Sequence, residues 1–329
     1  MLLLLTASIC LGAVGAYLVS KYALVWGLID YPLERSSHRI PTPRGGGIGI
    51  VGAFMVSALF LKLPISFWVP SVILSYCNYL DDKLGLTPKT RLLLQFTIAT
   101  SIIILNFQII SFPKFMGNPL LFLPFFLIFI VGTSNFFNFM DGINGIAGII
   151  GIVAFGLLSA FANLYAERPD LALVSASISA ACLGFLPFNL PRARVFMGDL
   201  GSIFLGFTYG VLAIILVRNV SDLLTIVSFL FVFYADAITT IYIRWQRREC
   251  IFNPHRCHLY QLLANEMGFP HSKVALIYGT IQLILGLLML AIYKTHPLIQ
   301  VSLLVLIGII YCILSFFVRR FVSLRNFTP

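Results

Sequence analysis

Charge is what this sequence has least of. Only 10% of its 329 residues are Asp, Glu, Lys or Arg, while 59% are hydrophobic, and mean hydropathy is +0.97. A soluble domain carries about 25% charged residues, so a water-facing surface cannot be assembled from this composition. Cysteine is scarce in a different sense. Cys10, Cys77, Cys182, Cys250, Cys257 and Cys312 are scattered without a CxxC pair, which argues against a zinc site or a disulfide framework. The first apolar run, Met1 to about Ser20, lacks both a basic leader and a small-residue cleavage site followed by a polar chain. It is therefore expected to be a retained helix. No repeat relates the two halves of the chain.

What is abundant is long apolar runs. Lipid admits only helices or closed barrels, because every backbone polar group has to be paired within the structure. The runs are continuous, not alternating, so the expected fold is all-α: a polytopic integral membrane protein, one membrane-embedded domain over residues 1–329. About eleven spans are expected, near 2–20, 46–62, 65–80, 92–111, 119–138, 146–162, 171–188, 201–217, 223–243, 274–293 and 297–318. A ~30 Å hydrocarbon layer asks for about 20 residues each.

Connections then alternate between two faces. Segments 21–45, 81–91, 139–145, 189–200, 244–273 and 319–329 share one face and hold 17 of the 22 Lys and Arg residues. Basic residues concentrate in cytoplasmic loops, so this face is expected to be cytoplasmic. The net charge of +10 is mostly this asymmetry, and it suits membrane lipids and anionic substrates, not nucleic acid. The carboxylates played no part in the assignment, yet nine of twelve fall on or beside the same face, as do His38, His255, His258 and His271. One site built from loops near 30–45, 81–91, 135–148, 189–202 and 244–263 accounts for that loading.

Five stretches supply its candidate parts. "LDDKLGL" sets Asp81 and Asp82 side by side at the end of a span; two adjacent carboxylates at the edge of low dielectric repel, and a divalent cation or basic partner relieves them. "NFFNFMDGING" places Asn135, Asn138 and Asp141 three apart, one face of a helix, suited either to a hydrated ion or to bridging between helices. "FNLPRARVFMGDLGS" holds Asn189, Phe196 and Asp199. Asp199 reads as a Mg²⁺ ligand or an N-cap, and Phe196 as a base-stacking ring or an interfacial anchor. "RWQRRECIFNPHRCHLYQLL" mixes His255, Arg256, His258 and Tyr260 with the densest basic cluster. It suits a pyrophosphate or lipid headgroups, and the two histidines are spaced to share a helix face. In "ERSSHRIPTPRGGGIGI", Arg39, Thr42 and Arg44 offer donors to oxyanions, while Gly45 to Gly47 suit either phosphate approach or close helix packing.

Together, in order over roughly residues 30–265, these motifs resemble the polyprenyl-phosphate N-acetylhexosamine-1-phosphate transferases, the WecA/MraY family of membrane enzymes. The resemblance implies transfer of an N-acetylhexosamine 1-phosphate from a UDP-sugar to undecaprenyl phosphate with release of UMP. It implies a Mg²⁺ requirement, with Mn²⁺ a candidate substitute, and a multi-pass protein of the bacterial inner membrane with its site on the cytoplasmic face; a homodimer is among the assemblies it allows. It matches Asp81 and Asp82 to the family's paired acids, Asp141 to a third, Asp199 to a magnesium ligand and Phe196 to a uracil-stacking ring. Asn189 and Asn138 match polar site contacts, and His258 the first histidine of the last loop. The chain departs from the pattern at Asn144, where many relatives carry an acid, at Tyr260 and Gln261, where many carry histidines, and at His255, which often stands as Asp. These departures look closer to O-antigen-initiating members than to the peptidoglycan enzyme, with GlcNAc or a 6-deoxy-HexNAc as the sugar.

In the expected chemistry Asp81 or Asp82 accepts the last proton of the acceptor phosphate, metal on Asp199 and Asp141 neutralises the pyrophosphate, and Arg39, Thr42, Asn144, His255 and Arg256 hold the donor. The rival reading is a secondary transporter using the acids, Asp236 included, as an ion relay; such sites favour the bilayer midplane and repeated halves.

Overall fold

Because lipid offers backbone groups no partner, the apolar runs fold as helices. The structure, a computed structural model, describes residues 1–32, 37–38, 40–108, 119–250 and 255–325. In chain order the helices are α1 (Leu2–Trp26), α2 (Ile48–Phe60), α3 (Ile65–Leu84), α4 (Pro88–Leu105), α5 (Leu123–Phe139), α6 (Ile146–Leu164), α7 (Pro169–Asn189), α8 (Asp199–Leu216), α9 (Val220–Ser228), α10 (Phe231–Gln246), the single turn α11 (Leu259–Gln261), α12 (His271–Ala291) and α13 (Pro297–Arg325). A π-helical turn, Leu262–Glu266, extends α11. Between α1 and α2 a two-residue ladder pairs β1 (Ile29–Asp30) with β2 (Thr42–Pro43).

Every expected span falls on a helix, but the ninth is not one span. Residues 223–243 are split between α9 and α10, which meet at 80°. By length and composition α1, α6, α7, α8, α12 and α13 can each cross a membrane, and the bent pair counted as one makes a seventh. Helices α2 and α5 are apolar but shorter. The chain is therefore a multi-pass, all-α membrane protein.

Helix α8 is the axis of the bundle. Every residue from Leu200 to Leu216 is buried, the mark of a helix apolar all round. Small residues let its neighbours approach. A Cβ on Gly206 would lie 2.6 Å from the Thr133 carbonyl oxygen of α5, and Ser134 of α5 donates to the Ile203 carbonyl at 3.0 Å. From α3, Ser75 donates to the Leu200 carbonyl at 2.9 Å.

The glycines of "PRGGG" serve packing. Gly46 lies against Phe185 and Val195, and Gly47 against Gly201. Backbone bonds complete the join: Phe196 N–H donates to the Pro43 carbonyl (2.7 Å), and Gly46 and Gly47 N–H donate to the Phe196 and Met197 carbonyls (2.9 and 3.0 Å). The loop after α1 is thus fastened to the segment that leads into α8.

Gly206→Ala should destabilise the detergent-solubilised protein by about 1–3 kcal/mol through overpacking. Gly52→Ala, where a Cβ meets nothing within 4 Å, should be neutral or slightly stabilising. Thermal melting compares the two; equal melting temperatures would refute the close α5–α8 seam.

Candidate active site

The paired acids stand at the last turn of α3, and consecutive helix positions point about 100° apart, so they face different partners. Asp81 accepts from the Leu86 N–H at 2.6 Å and forms an ion pair with Arg91 Nε at 2.5 Å. Asp82 pairs with Arg44 Nη1 at 3.4 Å, and Arg44 also donates to the Asp82 carbonyl. Both carboxylates are almost enclosed, with side chains 2% and 6% exposed. Arg91, in the first turn of α4, reaches in addition Asp199 Oδ2 at 3.1 Å. One guanidinium therefore ties α3, α4 and α8 together.

Asp199 is the first residue of α8, after Gly198 at φ +75°. A Cβ on Gly198 would sit 2.8 Å from Gly45 N and 3.4 Å from Asp82 Oδ2, so both its conformation and its surroundings require glycine. Asn138, near the end of α5, bonds Asp199 through its side chain and accepts from Ser202 at 3.3 Å. Asn135, one turn earlier, donates to Gln95 at 2.6 Å and the Val131 carbonyl at 2.7 Å, a bridge between α5 and α4. Asp141 lies two residues past α5, half-buried. Burial first, and then the charge of Asp199, push its carboxyl well above the usual carboxylate range. The same causes raise Asp82 to about 7, against the pull of Arg44.

The histidines arrive differently from expectation. Residues 255–258 are a loop, not a helix face, yet His255 and His258 lie 4.9 Å apart, ring to ring. Burial, with His258 and then Arg244 adding to it, lowers His255 to about 4, so its imidazole is neutral at neutral pH. His271 opens α12 and accepts the Asn144 N–H at 3.3 Å, while the Asn144 amide donates to the Pro191 carbonyl at 3.3 Å. Tyr260 props the loop against α5 by donating to the Phe139 carbonyl at 2.9 Å. Gln261 accepts from the His258 N–H at 3.3 Å.

Several expectations need correction or placement. Thr42 and Arg256 are not among the residues lining the cavity described below. The Thr42 hydroxyl is engaged by the Ile40 carbonyl at 2.8 Å, and Arg256 lies outward, 3.9 Å from Glu266. Asn189 does line the cavity, but its amide is occupied by backbone, accepting from Gly145 N–H (2.6 Å) and donating to the Val195 carbonyl (2.9 Å). Phe196 is half-buried, edge-on to His38 at 4.9 Å. In the basic cluster, Arg244 is buried against Glu249. Arg39 lies outside the described residues.

These side chains share one cavity of about 860 Å³, within the range of ligand sites. Its polar lining includes Asp81, Asp82, Asp141, Asp199, Asn138, Asn144, His255, His258 and His271, and its apolar lining includes Leu92, Phe96, Ile128, Val131, Phe139 and Ile203. Among the described lining residues, Asp81, Asp82, Asp141 and Asp199 share two arginines, Arg44 and Arg91, so their charge is only partly compensated. Asp82 Oδ2 is buried without a hydrogen-bond partner. No three acidic, histidine or cysteine side chains among the described residues form a ready metal cage. The set fits Mg²⁺ all the same, which takes one or two carboxylates and fills its shell with phosphate oxygens and water. Sequence reading undervalued Arg44, Arg91, Gln261 and His271. Each carried a signal, Arg44 as an oxyanion donor, His271 by its face, Gln261 as a departure from the family pattern and Arg91 as a cation nine residues after Asp82.

Residues 64–217 match the model of glycosyl transferase family 4, a stretch holding all four acids. A Mycobacterium tuberculosis protein named decaprenyl-phosphate N-acetylglucosaminephosphotransferase is 28% identical over 76% of this chain and 72% of its own length. A Halalkalibacterium halodurans protein named phospho-N-acetylmuramoyl-pentapeptide-transferase is 30% identical over 77% of this chain and 83% of its own. Neither is a transporter, and the acids gather at one end of the helices, so the ion-relay reading is set aside.

Arg91→Ala should leave Asp81 and Asp199 uncompensated and lower stability by about 1–3 kcal/mol, allowing for water at the partly exposed guanidinium. The loss should shrink when Mg²⁺ is added. A melting deficit indifferent to divalent cation would refute the shared-charge account.

Proposed function

The chain belongs to glycosyl transferase family 4, and we propose that it transfers an N-acetylhexosamine 1-phosphate from a UDP-sugar to undecaprenyl phosphate, releasing UMP. One observation carries this reading. Carboxylates from three separate motifs, Asp82, Asp141 and Asp199, meet at a cavity lined by both polar and apolar side chains. A nucleotide sugar and a lipid phosphate need that combination.

Both reactants are anionic, so their approach is opposed by Coulomb repulsion. Arg44 and Arg91 are placed to offset part of it once phosphate competes for their carboxylate partners. Mg²⁺ on Asp199 and Asp141 would supply charge neutralisation at the pyrophosphate and on the departing UMP, and Mn²⁺ has the ligand preference to substitute. Of the paired acids, Asp81 is held by Arg91 and Leu86 N–H, whereas Asp82 keeps Oδ2 unpartnered. Asp82 is therefore the proton acceptor, and the second pKa of a phosphate, about 6, makes the transfer undemanding. Direct in-line attack then follows. Phe196 offers its ring to uracil, while Asn144, His255, His258 and His271 line the sugar side. The excess of Lys and Arg in the loops at this end supports a site that faces the cytoplasm from a bacterial inner membrane. The departures at Asn144, His255, Tyr260 and Gln261 favour GlcNAc or a 6-deoxy-HexNAc and a step that begins a cell-surface polysaccharide.

Purified protein with UDP-GlcNAc, undecaprenyl phosphate and Mg²⁺ should release UMP; no release with any UDP-HexNAc donor would defeat the proposal. Asp82→Asn and Asp199→Asn should each cut kcat by about 10²- to 10⁴-fold, and only Asp199→Asn should weaken the Mg²⁺ dependence. Phe196→Ala should raise the donor KM roughly ten-fold, in keeping with about 1–3 kcal/mol for base–aromatic stacking. An unchanged KM would remove the stacking role.

A further inference from the structure

Asp236 takes no part in the chemistry above, yet it is the most heavily bonded carboxylate among the described residues. It lies on α10, wholly buried. Its Oδ1 accepts from Leu259 N–H (2.9 Å) and Thr240 Oγ1 (3.2 Å), and its Oδ2 from Tyr260 N–H (3.2 Å) and Tyr278 Oη (2.8 Å). The other neighbours are the Tyr311 hydroxyl and His258 Nδ1, 3.3 Å from Oδ1. The two amides can only donate, and each hydroxyl has a proton to give, so the carboxylate acts as an ionised acceptor. An ionised carboxylate in turn selects a protonated Nδ1 on the imidazole it faces, in competition with the Gln261 backbone N–H, which approaches the same side chain as a donor.

We propose that Asp236 is a positioning residue. It fixes His258 as the Nδ1–H tautomer and pins the backbone of residues 259 and 260, so that the unprotonated Nε2 is the nitrogen turned toward the cavity that His258 lines. A second tether steadies the same loop. Arg319 of α13 donates to the Cys257 carbonyl at 2.7 Å and to Thr240 at 3.0 Å, and Thr240 is itself bonded to Asp236. The break between α9 and α10 is what brings α10 to this loop. Gln282 secures the break, accepting from Val232 N–H at 3.0 Å and donating to the Ser228 carbonyl at 2.6 Å. Nε2 is thereby an acceptor, able to receive a hydrogen bond from a sugar hydroxyl or to take a proton. The effect on turnover rests on the transferase reading; the tautomer does not.

The test uses full-length protein labelled with ¹⁵N-histidine, His258→Gln assigning the signal. Wild type should show His258 protonated at Nδ1. Asp236→Asn can offer an amide donor to Nδ1, which should move the proton to Nε2 and reduce kcat by about 10²-fold or more with little change in donor KM. Asp236→Glu should recover part of kcat and the original tautomer. An unprotonated Nδ1 in wild type, or an unchanged kcat in Asp236→Asn, overturns the proposal; the wild-type spectrum decides it even if Asp236→Asn does not fold. If wild type releases no UMP, the transferase reading fails while the spectrum still tests Asp236. If His258→Gln is inactive and Asp236→Asn is not, the positioning role alone fails.

Discussion

Four carboxylates crowded at the edge of an apolar bundle repel one another, and the placement of two guanidiniums decides how they coexist. Like charges in low dielectric are costly, and removing one counter-charge exposes the cost in full. Arg91 touches Asp81 and Asp199 at once, and Arg44 holds Asp82. Three helices and the loop after α1 are thereby drawn to one point. The neutralisation is incomplete, since Asp82 Oδ2 lacks a partner and Asp141 is raised by burial and by Asp199. A fully paired cluster would be better settled but would have no use for a cation. The residual charge is what a divalent ion and its phosphate ligands can resolve.

The second constraint is the one that lipid places on backbone. Helices stop and restart between α3 and α4, α5 and α6, α7 and α8, and α9 and α10. Each interruption frees N–H and C=O groups that have to be satisfied by protein. Several buried polar side chains are there for that task. Asn189 serves Gly145 and Val195, Gln282 serves Val232 and Ser228, and Tyr260 serves Phe139. Their polarity has a structural cause, and Asn189 also lines the cavity.

This double use explains what the sequence concealed. The helices were legible because apolar runs of about span length have few alternatives in lipid. The acids were legible because an unneeded carboxylate is expensive there. The motif order also brought Asp81, Asp82, Asp141 and Asp199 to one cavity, as their common face required. A polar residue's partner is not written in its neighbourhood, however. Asn189 and Thr42 read as ligand contacts but are engaged by backbone. His255 and His258 meet through a loop where their spacing suggested a helix, and the bend inside 223–243 has no proline or charge to announce it. Asp236 looked like an ion-relay acid because its partners, Leu259, Tyr260 and Tyr278, lie 23 to 42 residues further along the chain.

The mixed lining of the cavity bears on what such a cluster is for. A scaffold has no reason to gather acids this closely, and a relay would string them through the bundle. Here they lie at one end of the helices, in a cavity that Leu92 and Phe96 of α4 and Ile128 and Val131 of α5 also line. An acceptor with a phosphate head and a hydrocarbon tail would find a match for each part without leaving the membrane, while a charged, soluble donor would enter from the polar side. Two reactants of opposite solubility can meet only where lipid and water share a boundary. A site of this construction is most useful at the end of a helical bundle, which is where these residues have been brought.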